Sequence, residues 1–102
     1  MIVSFNTRDL RDCCASLEKA EAAIGPEHAQ ELISLLADAE AAETAAELIE
    51  FHMPDVLVDG YTITLLIGTQ YRTSFVRLIR DRKAGIEWSA VRRLKMMELS
   101  RC

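Results

Sequence analysis

Residues 61–79 read YTITLLIGTQYRTSFVRLI and predict a β-hairpin. Apolar and polar residues alternate in the first half of this segment, which is typical of a strand with one buried face. The apolar set on that face is Ile63, Leu65 and Ile67. Gly68-Thr69 is a short link of the kind that reverses the chain between paired strands. We therefore predict one strand over Tyr61–Ile67 and a second over Gln70–Ile79.

The N-terminal half predicts a strand followed by a helical hairpin. Met1–Phe5 is short, apolar and rich in β-branched residues, as strands are. Apolar residues at helical spacing follow, and Gly25-Pro26 ends this first helix and begins a second. The tight link makes the two helices antiparallel neighbours. The second helix either runs long through an alanine- and glutamate-rich stretch or restarts near Thr44.

The C-terminal segment Val91–Leu99 fits two structures. Its apolar residues suit a short helix moderately, and its alternation suits a strand whose one face carries Val91, Arg93, Lys95, Met97 and Leu99. We predict a strand, because the hairpin and the short run Val56–Val58 need a further partner to bury one face. The predicted fold class is α+β, with an N-terminal strand and a helical hairpin packed on an antiparallel β-sheet, in one domain over residues 1–102.

Composition excludes several classes of protein. The chain has 102 residues, half of them apolar, with no apolar run long enough for a membrane helix and no secretory signal at its start. Its three cysteines, two of them adjacent, match neither a disulfide framework nor a zinc site. No phosphate-binding or dinucleotide-binding glycine motif is present. We expect a cytoplasmic protein without a metal or another cofactor.

The charge is divided between the two halves of the chain. Residues 1–50 hold eleven acidic and three basic residues, a net charge of −8, and residues 51–102 hold five acidic and nine basic residues, a net charge of +4. Such asymmetry indicates an anionic partner for the basic half. The alternative is that charges on an exposed sheet face keep the protein soluble and protect the strand edges.

The basic residues of the C-terminal half are the candidate site. If the last two strands are neighbours, Arg72 lies near Arg93 or Lys95 on one open face, where the three could neutralise phosphates or stabilise charge at a scissile phosphate. An aromatic ring, that of Tyr71 or Tyr61, could stack on an unpaired base. The remaining candidates for RNA contact are Arg77, Arg80 and Arg92. His52 would be a general acid or base only if the fold brought it to this face.

The order of elements resembles the RelE/ParE toxin superfamily, and within it the HigB-like plasmid-maintenance killers. The segments that carry the resemblance are MIVSF, AAELIEF, YTITLLIGTQYRTSF and VRRLKMMEL. In HigB-like chains a helix and loop lead to a strand that starts with tyrosine, a tight turn, and a strand that opens with an aromatic residue and arginine. The matching positions here are Tyr61, Gly68-Thr69 and Tyr71-Arg72.

The resemblance implies a toxin that cleaves mRNA at the ribosome and is held inactive by a cognate antitoxin. Such enzymes need no metal, because the 2′-hydroxyl of the RNA attacks the phosphate. By position, Arg72 matches the arginine after the hairpin turn, and Arg93 and Lys95 match the last strand, so these three are the expected catalytic residues. The ribosome and mRNA are the expected partners, no membrane is expected, and a homodimer is a further candidate assembly.

Two alternatives remain open, because the chain departs from the active toxins of this superfamily. Thr64 and Leu66 stand where active relatives commonly carry a base, and residues 98–102 lack a terminal aromatic residue or histidine. The first alternative is a catalytically inactive, toxin-like domain that binds a protein. The second is a ParE-like gyrase poison, which needs no ribonuclease site.

Overall fold

The computed structural model describes residues 1–78 and 87–101, which form four α-helices and one five-stranded β-sheet. In chain order the elements are β1 (Ile2–Phe5), α1 (Arg8–Cys14), α2 (Leu17–Ile24), α3 (Pro26–Ala41), α4 (Ala45–His52), β2 (Val56–Asp59), β3 (Thr62–Ile67), β4 (Tyr71–Arg77) and β5 (Arg93–Arg101). A 3₁₀ turn over Trp88–Ala90 precedes β5. The predicted α+β class is confirmed.

The strands are ordered β1-β5-β4-β3-β2 across the sheet. Strands β2 to β5 pair antiparallel, whereas β1 pairs parallel with β5. The sheet is therefore mixed, and the predicted antiparallel sheet is correct only for β2 to β5. Parallel neighbours require a long connection between them, and nearly the whole chain lies between β1 and β5. The predicted hairpin is β3–β4, with Ile67 opposite Tyr71, and the last segment is a strand as predicted. Ile79, which the prediction included in the second strand, lies outside the described residues.

The predicted first helix is two helices. The chain leaves the helical conformation at Ser16, whose hydroxyl accepts a hydrogen bond from the Lys19 N–H (3.2 Å) and caps α2. Gly25 adopts a φ of 87° between α2 and α3, where a side chain would be strained, and α2 and α3 pack against each other as the hairpin. Thr44 caps α4 in the same way as Ser16 caps α2, so the restart that the sequence suggested is the correct alternative.

The core lies between the helices and one face of the sheet. Its largest fully buried side chains include Phe75, Leu32 and Leu48, contributed by β4, α3 and α4. Thr73 is the one buried polar side chain of the residues that the structure describes, and its hydroxyl donates to the Leu65 carbonyl oxygen (2.9 Å). Within the same residues, no helix is both long and apolar enough to cross a membrane.

Candidate functional site

Among the residues that the structure describes, no helix packs against one face of the sheet, which we call the open face. Buried and accessible residues alternate along β3 and β4, so every second side chain points away from the core. Cross-strand partners extend this face onto β5. On β3, β4 and β5 the open face carries Thr62, Thr64, Leu66, Arg72, Ser74, Val76, Arg93, Lys95, Glu98 and Ser100. None of these side chains is buried.

All three predicted catalytic residues lie on the open face, but not at one point. Lys95 is opposite Val76, and Arg93 is two residues before Lys95 on the same strand. Arg72 is four residues from Val76 along β4, which separates the Cα atoms of these two residues by about 13 Å. Arg93 and Lys95 therefore form a pair, and Arg72 stands apart from them along the face.

A β-bulge determines which β5 residues reach the open face. Ser74 is opposite Glu98 and Phe75 is opposite Met96, so Met97 is an extra residue without a partner in β4. The bulge reverses the alternation of β5: Glu98 joins Lys95 on the open face, and Leu99, predicted to share that face, instead packs against the core. The Ser74–Glu98 pair is two positions along β4 from the Val76–Lys95 pair. The Cα atom of Glu98 therefore lies about 7 Å from that of Lys95, on the side nearer Arg72. Simple alternation in the sequence does not reveal this position for Glu98.

Arg72 is held in place across the sheet. Its Nε–H donates to the hydroxyl of Ser100, its direct partner on β5, over 3.2 Å. The contact uses one of the five guanidinium N–H donors and leaves the two terminal nitrogens for another ligand. Arg72 is thus an oriented cation on an exposed surface.

Two of the predicted RNA-contacting residues lie on the other face of the sheet. Tyr71 and Arg77 occupy the helix-side positions of β4, where the Tyr71 ring packs edge-on against His28 (5.1 Å between centroids) and the Arg77 guanidinium lies over the Tyr61 ring (4.2 Å). Arg92 is exposed just before β5. The structure therefore separates Tyr71 and Arg77 from the three cations of the open face. Arg80 falls outside the described residues.

His52 lies in the helical layer and not on the open face. It ends α4, and its Nε2 lies 3.5 Å from a carboxylate oxygen of Asp38 on α3, without an aligned hydrogen bond. At that distance and with both side chains partly exposed, the pair contributes little to stability. The structure does not bring His52 to Arg72 or Lys95.

The cysteines and the acidic residues offer no other reactive centre among the described residues. Burial raises the pKa of both thiols of α1, Cys13 and Cys14, and with the neighbouring Cys13 it raises that of Cys14 to about 12. A thiol with so high a pKa is a weak nucleophile at neutral pH. Within the described part of the chain, no three His, Cys, Asp or Glu side chains are grouped to hold a metal ion.

No family model, curated protein or solved structure matches this chain.

Proposed function

We propose that this chain is the toxin of a toxin–antitoxin system and that it cleaves mRNA bound on the open face of its sheet. The observation that supports the proposal is that Arg72, Arg93 and Lys95, from two neighbouring strands, present their cations on the open face. The order of elements and the hairpin with its Tyr71-Arg72 opening add the resemblance to HigB-like members of the RelE/ParE superfamily.

The spacing of the cations suits an extended anion better than a single phosphate. An RNA strand carries a phosphate at every nucleotide, so a strand lying across β4 and β5 could meet Arg72 with one phosphate and the Arg93–Lys95 pair with another. Ser74 and the threonines of β3 line the same surface and can hydrogen-bond to ribose or base. Arg72 would then position the strand, and Arg93 and Lys95 would act at the scissile phosphate.

Glu98 completes a chemically consistent cleavage step. In the proposed step the RNA 2′-hydroxyl gives its proton to the Glu98 carboxylate, and the 2′-oxygen attacks phosphorus. A P–O2′ bond forms and the P–O5′ bond breaks, which yields a 2′,3′-cyclic phosphate and a 5′-hydroxyl end that takes up a proton, for which Lys95 is the nearest acid. Arg93 and Lys95 stabilise the charge that develops on the phosphate oxygens.

The position of Glu98 also favours a second function, that of a toxin-like domain that binds a protein and has no catalytic activity. Glu98 stands between Arg72 and Lys95 and reduces the positive charge of the face, and Arg72 is already bonded to Ser100. If Glu98 only neutralises its neighbours, neither the wild type nor Glu98→Gln would cleave RNA.

The test is to express the chain alone and to measure growth, ribosome-dependent mRNA cleavage and RNA binding. The wild type should stop growth and cleave mRNA, and Lys95→Ala and Glu98→Gln should each reduce the cleavage rate by roughly a hundredfold or more. Glu98→Gln should bind RNA at least as tightly as the wild type, because the change removes a negative charge from the open face. Arg11→Ala, which removes an exposed cation on α1, is the matched control.

Three results would count against the proposal. Folded wild-type protein that neither arrests growth nor cuts mRNA would leave the binding domain as the better explanation. Growth arrest with a DNA-damage response and intact mRNA would indicate a gyrase poison instead. Cleavage that survives in Lys95→Ala and Glu98→Gln would move the active site away from the open face.

A further inference from the structure

Strand β2 leaves an apolar edge exposed. It is the last strand of the sheet order and, among the described residues, pairs only with β3, so its outer N–H and C=O groups have no strand partner there. Leu57 is 71% exposed and Val58 is 44% exposed, although both lie in a strand. The side chains of Phe51 and Met53, which precede the strand in the sequence, are also exposed. An open edge of this kind is a template for pairing with another chain.

The opposite edge is less available. Strand β1 lies there, and the N-terminal ammonium of Met1, next to it, hydrogen-bonds to the carbonyl oxygens of Glu40 and Ala42 at the end of α3. These contacts tie β1 to the helical layer. β2 has the more exposed side chains of the two edges.

Strand β2 lies within a strongly acidic stretch of the sequence. From residue 20 to residue 71 the sequence contains ten acidic residues and neither lysine nor arginine. Asp55 and Asp59, both exposed, flank the strand at its two ends. Edge strands are commonly protected by lysine, and this one carries no cation at all.

A groove lined by acidic side chains lies beside the N-terminal end of β2. β3 extends beyond β2 at Leu66, because the first residue of β2 pairs with Leu65. The space between this edge and α3 is lined by the carboxylates of Glu27, Glu31 and Asp38. His52 lines the same groove, and its Nε2 lies 3.5 Å from a carboxylate oxygen of Asp38.

We propose that the free edge of β2 is a docking site for an extended, lysine- or arginine-bearing segment of a protein partner, which adds to the sheet as a further strand. Main-chain hydrogen bonds would supply the pairing, apolar side chains would cover Leu57 and Val58, and cations would meet Asp55 and Asp59. Charge decides between this partner and the alternatives. A second copy would bring the same carboxylates against each other, and nucleic acid would meet an acidic surface.

The test uses a synthetic eight-residue peptide of alternating valine and lysine, with blocked ends, and a second peptide in which glutamate replaces lysine. Binding is followed by fluorescence anisotropy, and the binding site is located by amide hydrogen exchange. Two charge variants are compared with the wild type. Asp55→Lys/Asp59→Lys changes the ends of β2, and Asp9→Lys/Glu40→Lys makes the same change in net charge at exposed positions on α1 and α3.

The lysine peptide should bind and slow hydrogen exchange in β2, and the glutamate peptide should not bind. Asp55→Lys/Asp59→Lys should weaken binding of the lysine peptide by roughly tenfold and allow the glutamate peptide to bind. The control variant should behave as the wild type. The proposal is overturned if the lysine peptide fails to bind, if it protects β1 instead, if both peptides bind wild-type protein equally, or if the chain dimerises through β2. Since none of the changed residues lies on the open face near Arg72 or Lys95, the outcome does not depend on RNA cleavage.

Discussion

Arg72 and Ser100 face each other across β4 and β5, and the arginine Nε–H donates a 3.2 Å hydrogen bond to the serine hydroxyl. This contact fixes the position of a cation on a surface where most long side chains would be free to move. Lys95, on the same face, is reached only by moving four residues along β4 and crossing to β5. On the open face Arg72 therefore lies apart from the Arg93–Lys95 pair, and Glu98 lies between them.

The salt dependence of RNA affinity should show how many of these cations contact phosphates. Each phosphate neutralised by the protein releases counterions, so the slope of log affinity against log salt should become shallower by about 0.7 in Arg72→Gln and again in Lys95→Gln. Binding of single-stranded RNA measured at several salt concentrations tests this expectation. Arg11→Gln should leave the slope unchanged, and an equal loss in this control would show that the contacts are not specific to the open face.

The two faces of β4 should differ sharply in their tolerance of truncation. Phe75 is fully buried opposite Ile63 and Met96, whereas its neighbour Val76 lies on the open face. Phe75→Ala should lower the free energy of unfolding by about 3–5 kcal/mol, and Val76→Ala by much less, because only the first leaves a cavity. Urea denaturation measures both. Similar losses in the two variants would contradict the assignment of the faces.

The register around Met97 predicts that this residue can be removed without exchanging the faces of β5. After its deletion Met96 stays opposite Phe75 and Glu98 stays opposite Ser74, so the remaining residues alternate regularly between the core and the open face. We therefore expect the deletion variant to fold, and Met97→Leu, which keeps the extra residue, to stay within about 1.5 kcal/mol of the wild type. Urea denaturation measures the stability of both variants. A deletion variant that fails to fold would contradict this register.

Alkaline pH should destabilise the protein in part through Cys14. The pKa of this thiol rises from 9.0 to about 12 on folding, mainly because of burial. Between these values the folded chain keeps a proton that the unfolded chain has lost, so the free energy of unfolding falls as pH rises through this range. Below pH 9 the group contributes no slope. Denaturation curves of wild type and Cys14→Ala should diverge only above that pH, and parallel curves would contradict the expectation.

Much of the fold follows from local pattern. The alternation of Ile63, Leu65 and Ile67 predicted both the strand and its buried side, and Gly25-Pro26 marked the link between two helices. The choice of a strand for the last segment was correct because the sheet needs another partner. The break at Ser16 was missed, because the apolar spacing continues past a residue whose hydroxyl caps a new helix.

The arrangement of the site was predictable only in part. That Arg72 shares a face with Ser74 and Val76 follows from alternation along one strand. The positions of Lys95 and Glu98 relative to Arg72 depend on the register of β5 and on its bulge, which are set by contacts between distant parts of the chain. Sequence alone therefore indicated the basic face but not the carboxylate within it.

The most direct test of RNA binding on the open face is an NMR titration of the arginine Nε–H signals with a short single-stranded RNA. We predict that the Arg72 signal, already distinguished by its bond to Ser100, shifts on binding, while that of Arg11 on α1 does not. A shift at Arg11 with no change at Arg72 would contradict the account.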